Sequence, residues 1–105
     1  MISVNVTFIG KEIESLKVSG HANFADYGKD IVCAGVSAVV TGGINALEEE
    51  IKNIEITSQD NVLGVKVINN NEKIQVILNT ILIQLKTIEA SYKKYIKIKN
   101  EHGGI

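Results

Sequence analysis

The chain contains a single cysteine, Cys33, and this is the residue whose type and position most favour chemistry. Cys33 directly follows Asp30-Ile31-Val32 and opens a segment of small and apolar residues. Because Asp is a preferred N-cap, this pattern predicts a helix with Asp30 as its cap and Cys33 in its first turn. The unpaired N–H groups and the positive end of the helix dipole there would stabilise a thiolate, and also an oxyanion on a carbonyl attacked by Cys33.

A nucleophilic cysteine needs a base, and His21 lies twelve residues before it. His21 belongs to the segment Gly20–Lys29, which has a glycine near each end and no apolar periodicity. This pattern is typical of a loop that can move about its glycines. An imidazole in that loop can accept the thiol proton and return it to a leaving amine. Asp30 and Asp26 are both candidates to orient the imidazole, although Asp30 cannot easily be N-cap and histidine partner at once.

Each of these residues also has a purely structural interpretation. A lone cysteine in an apolar helix is often only a small buried hydrophobic residue. His21 is equally compatible with a turn, and Asp30 with a helix cap alone. Ser37, one turn after Cys33 on the same helical face, is explained by helix packing. Residue types and spacing therefore leave both catalysis and simple packing open.

The overall composition argues against several other functions. The 105 residues are 45% apolar and carry 11 basic and 12 acidic side chains, and every basic residue is Lys. The absence of Arg and of a net positive charge argues against nucleic-acid binding. One cysteine forms neither an intramolecular disulfide nor a cysteine-cluster zinc site.

Targeting and membrane signals are also missing from the sequence. The longest uncharged stretch, Ile31–Leu47, is shorter than the ~20 apolar residues that span a bilayer, so we expect no membrane segment. The first residues show neither a basic region nor a long apolar run, so we expect no secretory signal and a cytoplasmic location.

The apolar pattern predicts a hairpin followed by a helix, and then the same again. Apolar and polar residues alternate from Ile2 to Phe8, which is the signature of a half-buried strand. A second strand is predicted over Ile13–Val18, followed by a helix from Asp30 to about Ile51 that ends in three glutamates. Two further strands are predicted over Ile54–Thr57 and Leu63–Ile68. The second helix has an Asn69-Asn70-Asn71 cap and an apolar stripe from Ile74 to Ile88, and a short final strand over Tyr95–Lys99 can follow it. The order ββαββα predicts an α+β two-layer sandwich, with two helices on a mostly antiparallel sheet.

Two apolar residues of the second helix, Val76 and Ile83, fall outside its stripe. They lie seven residues apart on the opposite face. A dimer contact and ordinary surface exposure both remain open for them.

The residues around His21 and Cys33 resemble the signature of the ribosomal-processing cysteine protease family, Prp. The shared features are a G-H-A step at Gly20–Ala22 and the pattern D-I-V-C-A-x-V-S-A over Asp30–Ala38, with eleven residues between His21 and Cys33. A looser similarity, which includes the ββαββα order, extends over the whole chain. Gly42-Gly43 departs from the family pattern, where bulkier or polar residues are more usual.

This resemblance implies a single cysteine protease domain over residues 1–105. Such an enzyme is an endopeptidase that removes the N-terminal extension of a large-subunit ribosomal protein, forms a homodimer and needs no metal or other cofactor. The resemblance maps the catalytic pair onto His21 and Cys33 and an acidic partner onto Asp30. We further expect substrate contacts from Phe24, Tyr27 and Ser37. The alternatives are a non-catalytic module that binds a ribosomal protein and a thiol redox sensor, neither of which requires a base at position 21.

Overall fold

The computed structural model describes residues 1–20 and 27–103, with side chains for residues 1–20 and 31–103. The elements are β1 (Ile2–Ile9), β2 (Glu12–Ser19), α1 (Tyr27–Ala46), a 3-10 helix (Glu48–Asn53), β3 (Ile54–Gln59), β4 (Val62–Val67), α2 (Glu72–Ser91) and β5 (Ile96–His102). The predicted α+β class and ββαββα order are confirmed, and the final strand is present.

The five strands form one sheet in the order β3-β4-β2-β1-β5. All neighbouring strands are antiparallel except β1 and β5, which run parallel. The register places apolar residues opposite one another, with Val4 paired to Val18 and Leu16 paired to both Val6 and Val65. These residues belong to the same buried cluster as the apolar stripes of α1 and α2. The helices therefore cover the apolar face of the sheet.

Both predicted ends of α1 were wrong. The helix begins at Tyr27 instead of after Asp30, and it ends at Ala46 instead of near Ile51. Asp30 is thus the fourth residue of the helix and not its N-cap. An acidic side chain is favourable anywhere in the first turn of a helix, because it lies near the positive end of the helix dipole. Gly28 has a low helix propensity, so the sequence did not predict that the helix already includes the residues before Asp30. Capping preferences and helix propensities therefore predict the ends of a helix only to within a few residues.

The acidic run Glu48–Glu50 lies at the start of a separate 3-10 helix and not at the end of α1. Carboxylates are unfavourable at the end of a helix but favourable at its start, so these glutamates suit the helix dipole at the position that they occupy. The Nζ atom of Lys73 lies 2.6 Å from Oε2 of Glu49, and this hydrogen-bonded ion pair lowers the pKa of the Glu49 carboxyl. Both side chains are exposed, so the pair contributes little to stability.

The predicted cap of α2 is confirmed at Asn71. Its side chain accepts a hydrogen bond of 2.9 Å from the backbone N–H of Ile74, and its amide donates to Glu50 over 2.6 Å. The same side chain therefore satisfies an N–H group of the first helical turn and ties α2 to the preceding 3-10 helix.

The two helices are in close contact at Gly43. A Cβ atom added there would lie 2.3 Å from Cδ1 and 2.4 Å from Cγ1 of Ile81, a side chain that is 2% exposed. At Gly35 a Cβ atom would lie 3.6 Å from Ile88, which is ordinary contact. The departure of Gly42-Gly43 from the family pattern therefore has a packing reason at Gly43 alone, since no atom lies within 4 Å of a Cβ at Gly42.

We predict opposite effects of Gly43→Ala and Gly42→Ala on stability. The added methyl group at position 43 overlaps Ile81 and should lower the free energy of unfolding by about 1–3 kcal/mol. At position 42 the methyl group meets open space, so the higher helix propensity of Ala should raise stability by up to ~1 kcal/mol. Chemical denaturation of both variants measures the difference. A Gly43→Ala protein as stable as the wild type would show that the helices tolerate a wider separation.

Candidate active site

Cys33 lines a groove of about 420 Å³ between α1 and one end of the sheet. The helix wall consists of residues spaced by three, four and seven positions, namely Cys33, Val36, Ser37 and Val40. The sheet wall comes from the starts of β1 and β4 and the ends of β2 and β3, namely Ile2, Val18, Gly20, Ser58, Gln59, Asn61, Val62 and Leu63. The groove thus has an apolar floor and several polar groups beside it.

Cys33 is partly buried and packs against the core from the second turn of α1. It is the seventh residue of a helix that begins at Tyr27, so the prediction of a first-turn position was wrong. In a helix with this start, the unpaired N–H groups precede Cys33, and the effect of the dipole falls off within the first turn. Cys33 therefore lies beyond the N–H groups that a first-turn position would have placed beside it.

The other predicted site residues differ in what the structure says of them. Ser37 is exposed and lines the groove one turn after the cysteine. Tyr27 and Asp30 are the first and fourth residues of α1, and their side chains lie outside the described part. His21 and Phe24 lie outside the described residues altogether. The pairing of the histidine with the cysteine therefore stays a prediction.

Gly20, the residue directly before His21, packs closely against the backbone of Met1. Its φ angle is +73°, and a Cβ atom on it would lie 2.6 Å from the carbonyl oxygen of Met1. Both observations require glycine at this position, because other residues are strained at positive φ and their Cβ atom would meet the backbone. The close approach to Met1 thus fixes where the histidine-bearing segment leaves the sheet.

The sheet side of the groove was not predicted from the sequence. The predicted strand over Ile54–Thr57 ended before Ser58 and Gln59, whereas both residues belong to β3 and only Asp60 and Asn61 form the turn before β4. The hairpin reaches the groove because β4 pairs with β2, which sets Leu63 opposite Val18. No local pattern in the sequence contains this pairing.

Within residues 1–20 and 27–103, no three metal-ligating side chains of His, Cys, Asp or Glu lie close enough together to hold a metal ion. The helices in that part of the chain are too short or too polar to cross a membrane.

A thiol on the wall of a groove with an apolar floor and polar sides is compatible with a cysteine nucleophile that acts on a peptide. The chain belongs to the cysteine protease Prp family, since the model of that family matches residues 1–97. The predicted family and enzyme class are thereby confirmed.

Relatives in Staphylococcus aureus extend the comparison over nearly the whole chain. The ribosomal processing cysteine protease Prp of that organism is 36% identical over 103 residues, which cover 93% of this chain and 97% of that protein. The crystal structure of S. aureus Prp with a substrate peptide has a TM-score of 0.86 at 33% identity and covers 96% of this chain and 100% of that one. The structure with a covalently linked product peptide has a TM-score of 0.85 at 34% identity and the same coverage.

We predict that Gly20→Ala is more damaging than Gly10→Ala. Gly10 also has a positive φ angle, +62°, but nothing lies within 4 Å of a Cβ atom there, so its substitution tests backbone strain alone. That strain should lower the free energy of unfolding by about 1–2 kcal/mol.

Gly20→Ala adds the clash with the carbonyl of Met1, so it should destabilise the protein further and also reduce peptidase activity per folded molecule. Denaturation curves and peptide cleavage measure the two effects. Equal destabilisation by the two substitutions would show that the contact with Met1 relaxes without cost.

Proposed function

We propose that this protein is a cysteine endopeptidase that removes the N-terminal extension of a large-subunit ribosomal protein during ribosome maturation. The observation that carries the proposal is the position of Cys33 on the wall of the groove. The related ribosomal processing protease of S. aureus, solved with a covalently linked product peptide, supports a covalent mechanism.

The proposed reaction uses Cys33 as nucleophile and His21 as general base. The imidazole accepts the Sγ proton, and the thiolate attacks the scissile carbonyl carbon. When the tetrahedral intermediate collapses, the C–N bond breaks and the leaving amine takes the proton from the imidazolium. The remaining thioester is hydrolysed by a water molecule that His21 deprotonates, and Cys33 regains its proton. Asp30 is proposed to orient the imidazole, with Asp26 as the alternative.

The groove offers an extended peptide two kinds of contact. Its floor includes Val18, Val36 and Val40, which can bury an apolar or aromatic substrate side chain. On the helix wall we assign a substrate contact to the exposed hydroxyl of Ser37. Phe24 and Tyr27 are proposed as further apolar contacts with the substrate.

We also propose that the protein works in the cytoplasm, as a single domain over residues 1–105 and without a metal or organic cofactor. A cytoplasmic location follows from the proposed substrate, because bacterial ribosomes mature in that compartment. The proposed function needs no contact with RNA, which agrees with a chain of net charge −1 that contains no Arg.

We further propose that the protein is a homodimer that pairs through the outer face of its two helices. A second groove, of about 480 Å³, runs between α1 and α2 and is lined mainly by small and apolar residues. Val76 lines it and is 59% exposed, and Ile83 on the same helix is 63% exposed. Burial of these side chains against a second copy would remove apolar surface from water.

Cys33→Ala and His21→Ala should each abolish processing of the ribosomal precursor, because they remove the nucleophile and the base. Loss of such a residue lowers turnover by more than about 10³-fold in other nucleophilic hydrolases. Mass spectrometry of the extended precursor after incubation measures the shortened product. Undiminished cleavage by Cys33→Ala would refute the proposed function.

The same experiment separates the two alternative functions. A module that only binds would retain the precursor and leave it intact in the wild type as well. A thiol redox sensor would respond to peroxide, and that response would survive His21→Ala.

Ile83→Glu should convert the proposed dimer to a monomer, because the carboxylate would lose its hydration in the interface. Ile68→Glu is the matched control, since Ile68 is 49% exposed and directly follows β4, outside both helices. Sedimentation velocity of the wild type and both variants measures the change. Dissociation by both substitutions, or by neither, would contradict pairing through the helices.

A further inference from the structure

The turn of the β3–β4 hairpin has an unusual residue at its second position. Asp60 and Asn61 form this two-residue turn and have φ angles of 54° and 63°. Positive φ at both central positions is the pattern of a type I′ turn, in which Gly is strongly preferred at the second position. Glycine would adopt this backbone conformation more easily than Asn61, but it would bring no side chain to the turn.

Asn61 lines the groove that also contains Cys33, whereas Asp60 does not line it. Asn61 is exposed, and no group in the described part of the chain hydrogen-bonds to its amide. By contrast, the amides of Asn53 and Asn71 both donate to Glu50. Asn61 thus brings two unused donors and one acceptor to the groove.

The hairpin end is held firmly enough to act as a binding surface. Gln59 pairs with Val62 across the turn, and Val62 also pairs with Ser19 on the other side. The turn is therefore fixed to both neighbouring strands. Groups that are ordered before a ligand arrives lose less entropy when they bind it.

A peptide in this groove has a polar backbone that must be satisfied. Its N–H and C=O groups lose water against the apolar floor, and each unpaired buried group is costly. The helix wall offers the hydroxyl of Ser37, and the opposite wall offers the polar side chains of Ser58, Gln59 and Asn61. Among them, Asn61 stands at a turn position where glycine is the preferred residue, and its carboxamide can both donate to and accept from a peptide backbone.

We propose that Asn61 is a substrate-binding residue whose carboxamide hydrogen-bonds to the backbone of an extended peptide in the groove. The inference rests on the proposed function, because it takes the peptide to be the segment of the ribosomal precursor around the scissile bond. The contact is made to the peptide backbone, so it fixes the register of the substrate at Cys33 and reads little of its side-chain sequence.

The substitution Asn61→Gly tests this role without endangering the fold. The probe is a fluorescent peptide that spans the cleavage junction of the precursor, and its affinity is measured by anisotropy with Cys33→Ala protein. Adding Asn61→Gly should weaken binding about five- to tenfold, the value of one or two hydrogen bonds. The melting temperature should stay the same or rise, since the turn prefers glycine.

Asp60→Gly is the matched control, because it changes the same turn but not the lining of the groove. It should leave the affinity for the peptide unchanged. Equal affinities of the Asn61→Gly and Asp60→Gly proteins would overturn the role of Asn61.

A set of peptides with single ester replacements locates the contact in the peptide backbone. An ester removes one N–H donor and weakens one carbonyl acceptor. At the position that binds Asn61, the replacement should lower affinity for the Cys33→Ala protein but have little further effect once Asn61→Gly is present. Losses that simply add at every position would overturn a backbone contact.

The two proposals fail in different ways. Cleavage of the precursor by Cys33→Ala refutes the proposed function, and so does a lack of peptide binding by that protein, which also removes the basis for Asn61. If Cys33→Ala binds the peptide without cleaving it and Asn61→Gly changes nothing, only the inference about Asn61 is wrong.

Discussion

The contact between Ile81 and Gly43 determines how the two helices lie side by side on the sheet. Ile81 is buried, and its terminal carbon atoms occupy the space that a side chain at position 43 would fill. Cys33 lies ten residues before Gly43 on the same helix, about 15 Å along its axis. The place of the thiol above the end of the sheet therefore follows from how closely α1 approaches α2.

The groove beside Cys33 is assembled from parts of the chain that are far apart in sequence. Its walls come from the first half of α1, from the sheet around Gly20, and from the β3–β4 hairpin. Because Cys33 lies in the second turn of α1, the helix start contributes less to its reactivity than a first-turn position would. In the proposed mechanism the side-chain base that activates the thiol is His21.

Backbone conformation and substrate binding are linked at this groove. Four residues in the described part of the chain have positive φ angles, and two of them, Gly20 and Asn61, line the groove. Gly20 has no alternative, because its neighbour Met1 leaves no room for a Cβ atom. Asn61 retains a side chain where glycine would be easier, and the proposed contact with substrate gives that choice a function.

The sequence by itself determined the order of the strands and the two long helices, the Asn71 cap and the family signature around Cys33. These features depend on local periodicity and on residue types at fixed spacing, which are present in the chain before it folds. The predicted ends of α1 were nevertheless wrong by several residues. The helix propensities of the residues on either side of Tyr27 and of Ala46 differ too little to fix a helix end. Only the tertiary structure showed why position 43 is a glycine, and only the tertiary structure placed Asn61 on a wall of the groove beside Cys33. Both arise from contacts between residues distant in sequence, and such contacts exist only once the strands have paired and the helices have packed.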